Sequence, residues 1–484
     1  MEISTRYFKE QSHAARRDPQ LQRALSKLGQ GFAQKRREAA ERLPEFEALC
    51  DKACEIKNHT LDNLDFYLEQ FEERVVEQGG HVHWCADANA ARQKILEICH
   101  AVDAATVTKS KSMIGEEIAI NDFLEANDIQ PIETDLGEYI IQLREEVPSH
   151  IIAPAIHLNM DQVEQTFREK HETLDPDRAL DEPRMLLEEA RSQLREKFLT
   201  ADVGLTGANM LIAETGSNVL VTNEGNADLT YSLPRVHIVI ASLEKVVPTL
   251  EDATSILRVL ARSSTGQDMS VYTTFCTGPK RSDDLDGPDA YHVVLLDNGR
   301  SELLDSEFKD MLRCIRCGAC LNHCPVYQTI GGHAYGWVYS GPMGAVLIPG
   351  LIGLDEAVDL PNASTLCGAC ESVCPMRIPL PRMLRSWRRR QFERAGVGGI
   401  GRWALKIWAA LAKTPKLYRM ISTVSISVLS LFGRGRGKFR RLPFTAGWTQ
   451  TRDFPAPTGD SFVSQWHKGS RGVASDDGLM GRSK

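Results

Sequence analysis

Seven of the chain's twelve cysteines lie between residues 314 and 374. Cys314, Cys317, Cys320 and Cys324 follow the spacing C-x2-C-x2-C-x3-C, and Pro325 comes directly after them. Three thiolates at this spacing can wrap one iron–sulfur cubane corner to corner, while the fourth, next to proline, points away from it. Zinc also favours C-x2-C pairs and is the rival metal. Four cysteines within 11 residues, a trailing Cys-Pro and then a second Cys-Pro fit iron and sulfide far better.

The second motif is Cys367-x2-Cys370-x3-Cys374-Pro375. It matches the last three positions of the same run, with Ser364 where the first cysteine would stand. In two-cluster ferredoxins the Cys-Pro cysteine of each motif ligates the other cluster. Applied here, that rule assigns Cys314, Cys317, Cys320 and Cys374 to cluster one, and Cys324, Cys367 and Cys370 to cluster two. The second site is one thiolate short. It reads either as a [4Fe–4S] cluster with an open or non-cysteine fourth ligand, or as a [3Fe–4S] cluster. Ser364 is a candidate oxygen ligand, or equally a substitution with no role. The stretch Gly331-Gly332-His333-Ala334-Tyr335-Gly336-Trp337 between the motifs reads mainly as packing around the clusters, with a docking surface as the alternative.

Five cysteines are scattered (Cys50, Cys54, Cys85, Cys99, Cys276) and read as small buried hydrophobes. Elsewhere three polar stretches fall where strands meet helices or turns: Lys109-Ser110-Lys111-Ser112, Glu214-Thr215-Gly216-Ser217 and Thr222 to Asp228. Ligands of open α/β sheets bind at such strand ends, and lysines with backbone amides suit a carboxylate or phosphate. Ordinary turns use the same residues. Glu214, Lys109 and Lys111 are the candidates for acid–base work and carboxylate binding. No G-x-G-x-x-G fingerprint follows a strand, so no NAD or FAD site is evident.

The elements that must position these residues are legible in outline. Leu21, Leu25, Leu28 and Phe32 keep one helix face, Pro44 interrupts it, and Leu61, Leu64, Leu68 and Phe71 restart it before Gly79-Gly80. Residues 1–80 therefore read as packed helices without chemistry. From His81 the chain alternates short strands and helices. Strands are expected at His81 to Cys85, Ala105 to Thr108, Ile151-Ile152, Val203 to Leu205, Asn218 to Thr222, Val236 to Ala241, Ser270 to Phe275 and Tyr291 to Leu296. Helices are expected at Ala88 to Cys99, Glu117 to Glu125 and Leu250 to Ala261. That alternation implies a mainly parallel sheet over residues 81–300. A helix over Glu302 to Leu312 then leads into a cofactor-centred segment, 301–395. Residues 396–484 form an extension whose last 40 or so residues look irregular.

With 484 residues, 42% of them hydrophobic and 25% charged, the chain has the composition of an ordinary folded protein of about three domains. The net charge of −8 conceals an asymmetry: Arg382 to Arg441 carries 16 Lys and Arg against one acid, Glu393. A basic tail on an acidic body implies a partner, with an anionic membrane surface second and nucleic acid last. An apolar stripe of Trp403, Ile407, Trp408 and Leu411, flanked by Arg402, Lys406 and Lys413, fits the first two. The longest weakly polar run, Ile421 to Phe432, is short of the ~20 residues of a membrane span. With no visible signal peptide, the expected location is cytoplasmic.

Glu214-Thr215-Gly216-Ser217, Thr222-Asn223-Glu224-Gly225-Asn226, Leu233-Pro234, His237 and Cys276-Thr277-Gly278-Pro279 together resemble the lactate-utilisation domain. With the cysteine motifs and basic tail behind them, nearly the whole chain resembles the lactate utilisation protein B family. The resemblance implies an α/β domain similar to the NagB, ribose-5-phosphate isomerase and CoA-transferase superfamily, followed by an α-helical ferredoxin-like two-cluster domain. It further implies one iron–sulfur subunit of a three-protein system oxidising L-lactate to pyruvate. Its partners would be a cysteine-rich protein and a second lactate-utilisation-domain protein, with a quinone-linked acceptor downstream. The family shares the seven-cysteine pattern, and it transfers no catalytic residue. Two functions stay open: an electron-transfer subunit, or a small-molecule active site in the α/β domain with the clusters as built-in acceptor. A scaffold with purely structural clusters is the third.

Overall fold

Ten strands build two sheets in the body of the molecule. They are β1 (His81–Cys85), β2 (Thr106–Lys109), β3 (Gln130–Glu133), β4 (Val203–Thr206), β5 (Met210–Ile212), β6 (Ser217–Thr222), β7 (Val236–Ser242), β8 (Val246–Val247), β9 (Tyr272–Cys276) and β10 (Ala290–Leu296). The main sheet runs β1-β10-β7-β4-β2-β3 with every pair parallel. A four-stranded sheet, β8-β5-β6-β9, has β5 parallel to β8 and its other pairs antiparallel. The computed structural model describes residues 3–394, 399–433, 435–442, 449 and 452–476.

The sequence explains the central strands. β7 reads Val-His-Ile-Val-Ile-Ala-Ser and is buried at every position, as a parallel strand covered on both faces must be. Flanking helices start on side-chain caps: Asp87 accepts from Ala90 N at 2.8 Å, Thr249 from Asp252 N at 3.1 Å, and Asp135 from Gly137 N at 3.0 Å. Each such cap contributes about 1 kcal/mol. Gly204 in β4 is required by close approach, since a Cβ there would lie 1.8 Å from Thr230 O of the helix Asn226–Ser232.

Connections go outward from β2 to β3, then reverse, with β4, β7 and β10 added on the other side of β2. The sheet's topological switch point is therefore between β2 and β4, where open α/β sheets bind ligands beyond their carboxyl ends.

Several local expectations are corrected. Ile151-Ile152 is not a strand but part of an irregular loop, in which His150 Nδ1 meets Ile152 N at 3.0 Å and Lys111 Nζ donates to Ile152 O at 2.9 Å. The short strands β3, β5 and β8 were unmarked by any apolar alternation. The helix expected over Glu117 to Glu125 is broken into Met113–Glu117 and Ile120–Glu125 by Ala119 at φ +50°. The stripe Leu21 to Phe32 spans two helices, Pro19–Gln30 and Phe32–Glu41, parted at Gly31. The helix expected over Glu302 to Leu312 is Arg300–Leu304 followed by a 3-10 turn, Lys309–Arg313.

Met1–Gln391 forms one compact unit and Phe392–Lys484 a second. The segments over 1–80 and 81–300, and 301–395 as far as Gln391, thus share one unit, and one apolar cluster runs through all three. It joins Leu25, Leu28, Phe46 and Cys50 to Ile212, Val219 and Val247 of the second sheet, and on to Cys317, Cys324, Cys370 and Cys374. The second unit contains helices Gly399–Ala412 and Pro415–Gly433, a short hairpin of Lys438–Phe439 with Phe454–Pro455, and a helix Phe462–Asp476 where an irregular tail was expected. Arg434 of the glycine-arginine run, and the side chain of Arg402, lie outside the described residues. No helix among the described residues is long and apolar enough to cross a membrane.

Candidate iron–sulfur centre and adjoining cavity

Short helices frame the cysteines: Ala319–Asn322, Tyr327–Ile330, Gly341–Leu351, Ala369–Ser372 and Leu380–Arg394. Each cysteine motif turns into its first helix through a left-handed glycine, Gly318 at φ +74° and Gly368 at φ +85°. Gly332 lets this segment close on the α/β domain, because a Cβ there would sit 1.8 Å from Ser149 O.

Cys314, Cys317, Cys320 and Cys374 line a single cavity whose walls, Arg316 apart, are apolar, with Ile151, Ile315, Met343, Met376, Ile378 and Leu380 among them. Cys374 comes from the second motif and enters beside the three from the first. Cys324, Cys367 and Cys370 form the other group. After burial, the neighbours that push the Cys370 thiol up to about 12 are Cys324 and Cys367. Burial also raises Cys317, Cys320, Cys324 and Cys374, so iron must displace protons to bind these thiols. Cys367 differs: it is exposed, and hydrogen bonds from Ala369 N and Thr365 lower its thiol.

The donor set suits a cluster. Among the described residues no three His, Cys, Asp or Glu side chains converge on one point as the ligands of a lone ion do. The four cysteines instead surround a space, as the corners of a cubane require. Near cysteines of both groups is Tyr335, fully buried, its hydroxyl without a partner among the described residues and raised by burial and then by Cys324, Tyr327, Cys320 and Cys370. The Trp337 indole N–H is also buried without a partner among the described residues. Ser364 turns its hydroxyl onto Leu366 N at 3.1 Å, closing the turn that leads to Cys367.

The N-terminal helices, expected only to pack, wrap this centre. Arg36 Nη2 donates to Val373 O at 2.8 Å, and Arg377 pairs with Glu47 and Asp51 at 2.6 and 2.8 Å. Arg313 reaches Cys54 Sγ at 3.1 Å and Asn58 Oδ1 at 3.0 Å. Cys54 is therefore half-buried against a guanidinium, while Cys50, Cys85, Cys99 and Cys276 are buried as expected.

A second cavity of about 270 Å³ opens at the switch point. Ser110, Lys111 and Ser112 line it after β2, Gly207 and Asn209 after β4, and Lys245 after β7, with Thr222, Asn223, Glu224 and Asn226 opposite. Two of the three polar stretches singled out in the sequence meet here. Glu214 does not line it: its carboxylate accepts from Leu250 N at 3.1 Å, at the start of the helix Leu250–Ser264. Lys109 does not line it either, being fully buried between Glu116 and Glu133 at 2.7 and 2.6 Å. Lys111 does. Ile151 and Arg316 line both cavities, so the switch-point cavity abuts the cysteine-lined one.

Charged residues without a motif signature stitch the two together. Arg300, buried at the end of the sheet, pairs with Glu117 at 2.7 Å and with Glu244 at 3.0 Å, and Tyr339 also hydrogen-bonds Glu117. Glu244 in turn pairs with Arg316 at 3.2 Å. Burial opposes the charge on Glu244, but Arg300 and Arg316 outweigh it and hold the carboxyl at about 2. The only sequence signal for this network was Arg316 itself, lying inside a C-x2-C pair.

In the second unit Trp403, Ile407 and Trp408 are 66%, 57% and 61% exposed. Together with Lys406 they present an open apolar and basic face.

Comparison with known proteins gives three family models matched in order: LUD domain over residues 68–296, 4Fe-4S dicluster domain over 310–378, and Lactate utilisation protein B, C-terminal, over 396–470. "Lactate utilization protein B" of Bacillus velezensis is 42% identical over 476 residues, covering 97% of this chain and 98% of that one. The proteins of the same name from Bacillus thuringiensis and Bacillus anthracis are 41% identical over 471 residues, covering 97% and 98%. A solved DUF162 family protein from Deinococcus radiodurans covers 48% of this chain and 98% of its own, with 16% identity and a TM-score of 0.25, a likeness too remote to carry weight. With that identity sustained from end to end, the chain belongs to the lactate utilisation protein B family.

Proposed function

We propose that this protein is the iron–sulfur electron-transfer subunit of a multi-protein system that oxidises L-lactate to pyruvate. Cys314, Cys317, Cys320 and Cys374 hold one [4Fe–4S] cluster. Cys324, Cys367 and Cys370 hold the second, of [4Fe–4S] or [3Fe–4S] type. The observation that carries the reading is that Cys374 joins three cysteines of the other motif around one cavity, the exchange of ligands that brings two clusters close enough for an electron to pass. Oxidation of one lactate releases two electrons, and two one-electron centres can hold both. The partners are a cysteine-rich protein and a second lactate-utilisation-domain protein, with a quinone-linked acceptor beyond. The basic, apolar face of the tail is the docking element, on a partner subunit first and a membrane surface second. The α/β domain is assigned the NagB, ribose-5-phosphate isomerase and CoA-transferase type.

A second reading is favoured by Ile151 and Arg316, which line both cavities. In it the α/β domain itself binds the 2-hydroxy acid and the clusters are its internal acceptor.

Iron and acid-labile sulfide content, with EPR before and after dithionite, tests the cluster assignment on anaerobically purified protein. Seven or eight irons per chain with reducible signals are expected from two clusters of these types; zinc, or signals silent to every reductant, would overturn it. L-Lactate then separates the readings. Reduction of the isolated chain by lactate supports the second, and reduction only with the partner proteins supports the first.

A further inference from the structure

Around the switch-point cavity the positive groups outnumber the negative groups free to answer them. Lys245 is 8% exposed, lines the cavity, and makes no hydrogen bond or ion pair among the described residues. Burial, and then Arg316, pull its ammonium down to about 8, against the opposing pull of the neighbouring Glu244. Lys111 lines the same cavity and touches only a carbonyl, Ile152 O. The Arg316 side chain is 9% exposed; its Nη2 pairs with Glu244 at 3.2 Å, while its Nη1 is buried with no hydrogen-bond partner among the described residues.

The two acids of the lining do not neutralise them. Asp135 spends its carboxylate on Gly137 N and Glu138 N at 3.0 and 3.2 Å. Glu224 accepts from Leu136 N at 3.2 Å and forms no ion pair among the described residues; burial and Asp135 raise its carboxyl, outweighing the Leu136 N–H and the nearby Lys111. Ser112, Asn209, Asn223 and Gln267 add polar groups to a wall that also holds apolar residues, Met113, Ile114, Leu220 and Ile240 among them.

We propose that this cavity is a binding site for a small organic anion, a carboxylate or a phosphate ester, held by Lys111, Lys245 and Arg316, and that Arg316 reports its occupancy to the Cys314–Cys317 loop. Arg316 is suited to that link because its backbone lies in the loop at φ +60° while its side chain reaches the cavity. An anion beside it offsets a positive charge next to Cys314 and Cys317. The site rests on the cavity's own residues; only the reporting step rests on the cluster assignment.

The test uses the full chain, purified anaerobically with its iron counted, and two probes: pyruvate and glycerol 3-phosphate. Calorimetry is expected to show saturable one-site binding of one of them, and which one binds identifies the anion's chemistry. Lys245→Met, which keeps volume and removes the charge, is expected to weaken binding tenfold or more, the usual loss of a charge-assisted contact. Lys111→Met serves as an independent second variant. The EPR signal of the reduced protein is expected to change on saturation, and to stop responding in Arg316→Gln, with Arg316→Lys restoring part of the response. No binding of either probe by iron-replete protein overturns the anion site. Binding without any EPR response overturns the reporting role of Arg316. Binding by protein that takes up no iron leaves the site standing and overturns the cluster assignment instead.

Discussion

Arg316 Nη2 lies 3.2 Å from Glu244 Oε1, so a residue between two cysteines of the first motif is tied to the turn that ends β7. The same Glu244 meets Arg300 at 3.0 Å, and all three side chains are buried. The cysteine loop is thereby fixed to the carboxyl end of the parallel sheet.

Removing that tie is expected to be costly. Glu244→Gln strands the buried Arg316 guanidinium and leaves Arg300 with Glu117 as its carboxylate partner, and loss of one partner of such a pair costs about 3–5 kcal/mol. Urea unfolding should show the loss, and iron content should fall with it. In the double variant Glu244→Gln with Arg316→Gln the two losses should not add, since the residues touch.

The proposed exchange of ligands between motifs predicts a distinctive pattern of variants. Cys374→Ser should remove the same EPR signal as Cys320→Ser, 54 residues away in sequence, and spare the one removed by Cys370→Ser. A ligand set confined to each motif predicts the opposite grouping.

The Tyr335 hydroxyl is buried near cysteines of both groups, with no partner among the described residues. Hydrogen bonds to cluster sulfurs raise reduction potentials. Tyr335→Phe is therefore expected to retain full iron and sulfide and to lower the potential of at least one cluster, read by an EPR-monitored redox titration. Unchanged potentials would assign the residue to packing alone.

Acid should weaken the α/β domain through His237. Burial holds its imidazole at about 3, against 6.5 as the ordinary value. The unfolded chain takes up a proton below pH 6.5 while the folded one does not until about 3, so stability is lost as pH falls through that window. Between pH 6.5 and 5 the loss is about 2 kcal/mol for this one group. The urea midpoint should drop from pH 7.5 to pH 5, and His237→Gln should flatten the drop by about that amount.

Docking by the tail is expected to respond to both salt and shape. Trp403→Glu with Trp408→Glu should abolish co-purification with the partner subunits and leave iron content unchanged. A high-salt wash should release any membrane-attached fraction, and protein found soluble at every ionic strength excludes membrane attachment.

What could be read from the residues followed the strength of the local signal. Thiol spacing is covalent information, and the four cysteines expected together from the Cys-Pro position, Cys314, Cys317, Cys320 and Cys374, do line one cavity. Central strands such as β7 and β10 announced themselves by apolar runs broken only by one histidine each, His237 and His292. β5 and β8, three and two residues long, exist only because a neighbouring strand supplies their partners, and nothing local marks them. The cavity was half visible: Lys111 and the Thr222–Asn226 stretch were singled out, whereas Lys245 and Arg316 arrive from an unmarked turn and from inside a metal motif. Glu214 and Lys109 looked chemical by residue type and turned out to be a helix cap and a buried ion-pair partner. Polar residues at strand ends serve either purpose, and only tertiary neighbours separate them.

Exposure divides the seven cysteines unevenly, with Cys367 alone at the surface. A cluster held there, already one thiolate short, meets dissolved oxygen before its neighbour behind Met343, Met376 and Ile378 does. Air should therefore strip the molecule in sequence, bleaching the outer centre while the inner one still gives a signal. In a cell that meets oxygen, Cys367 marks where repair must begin.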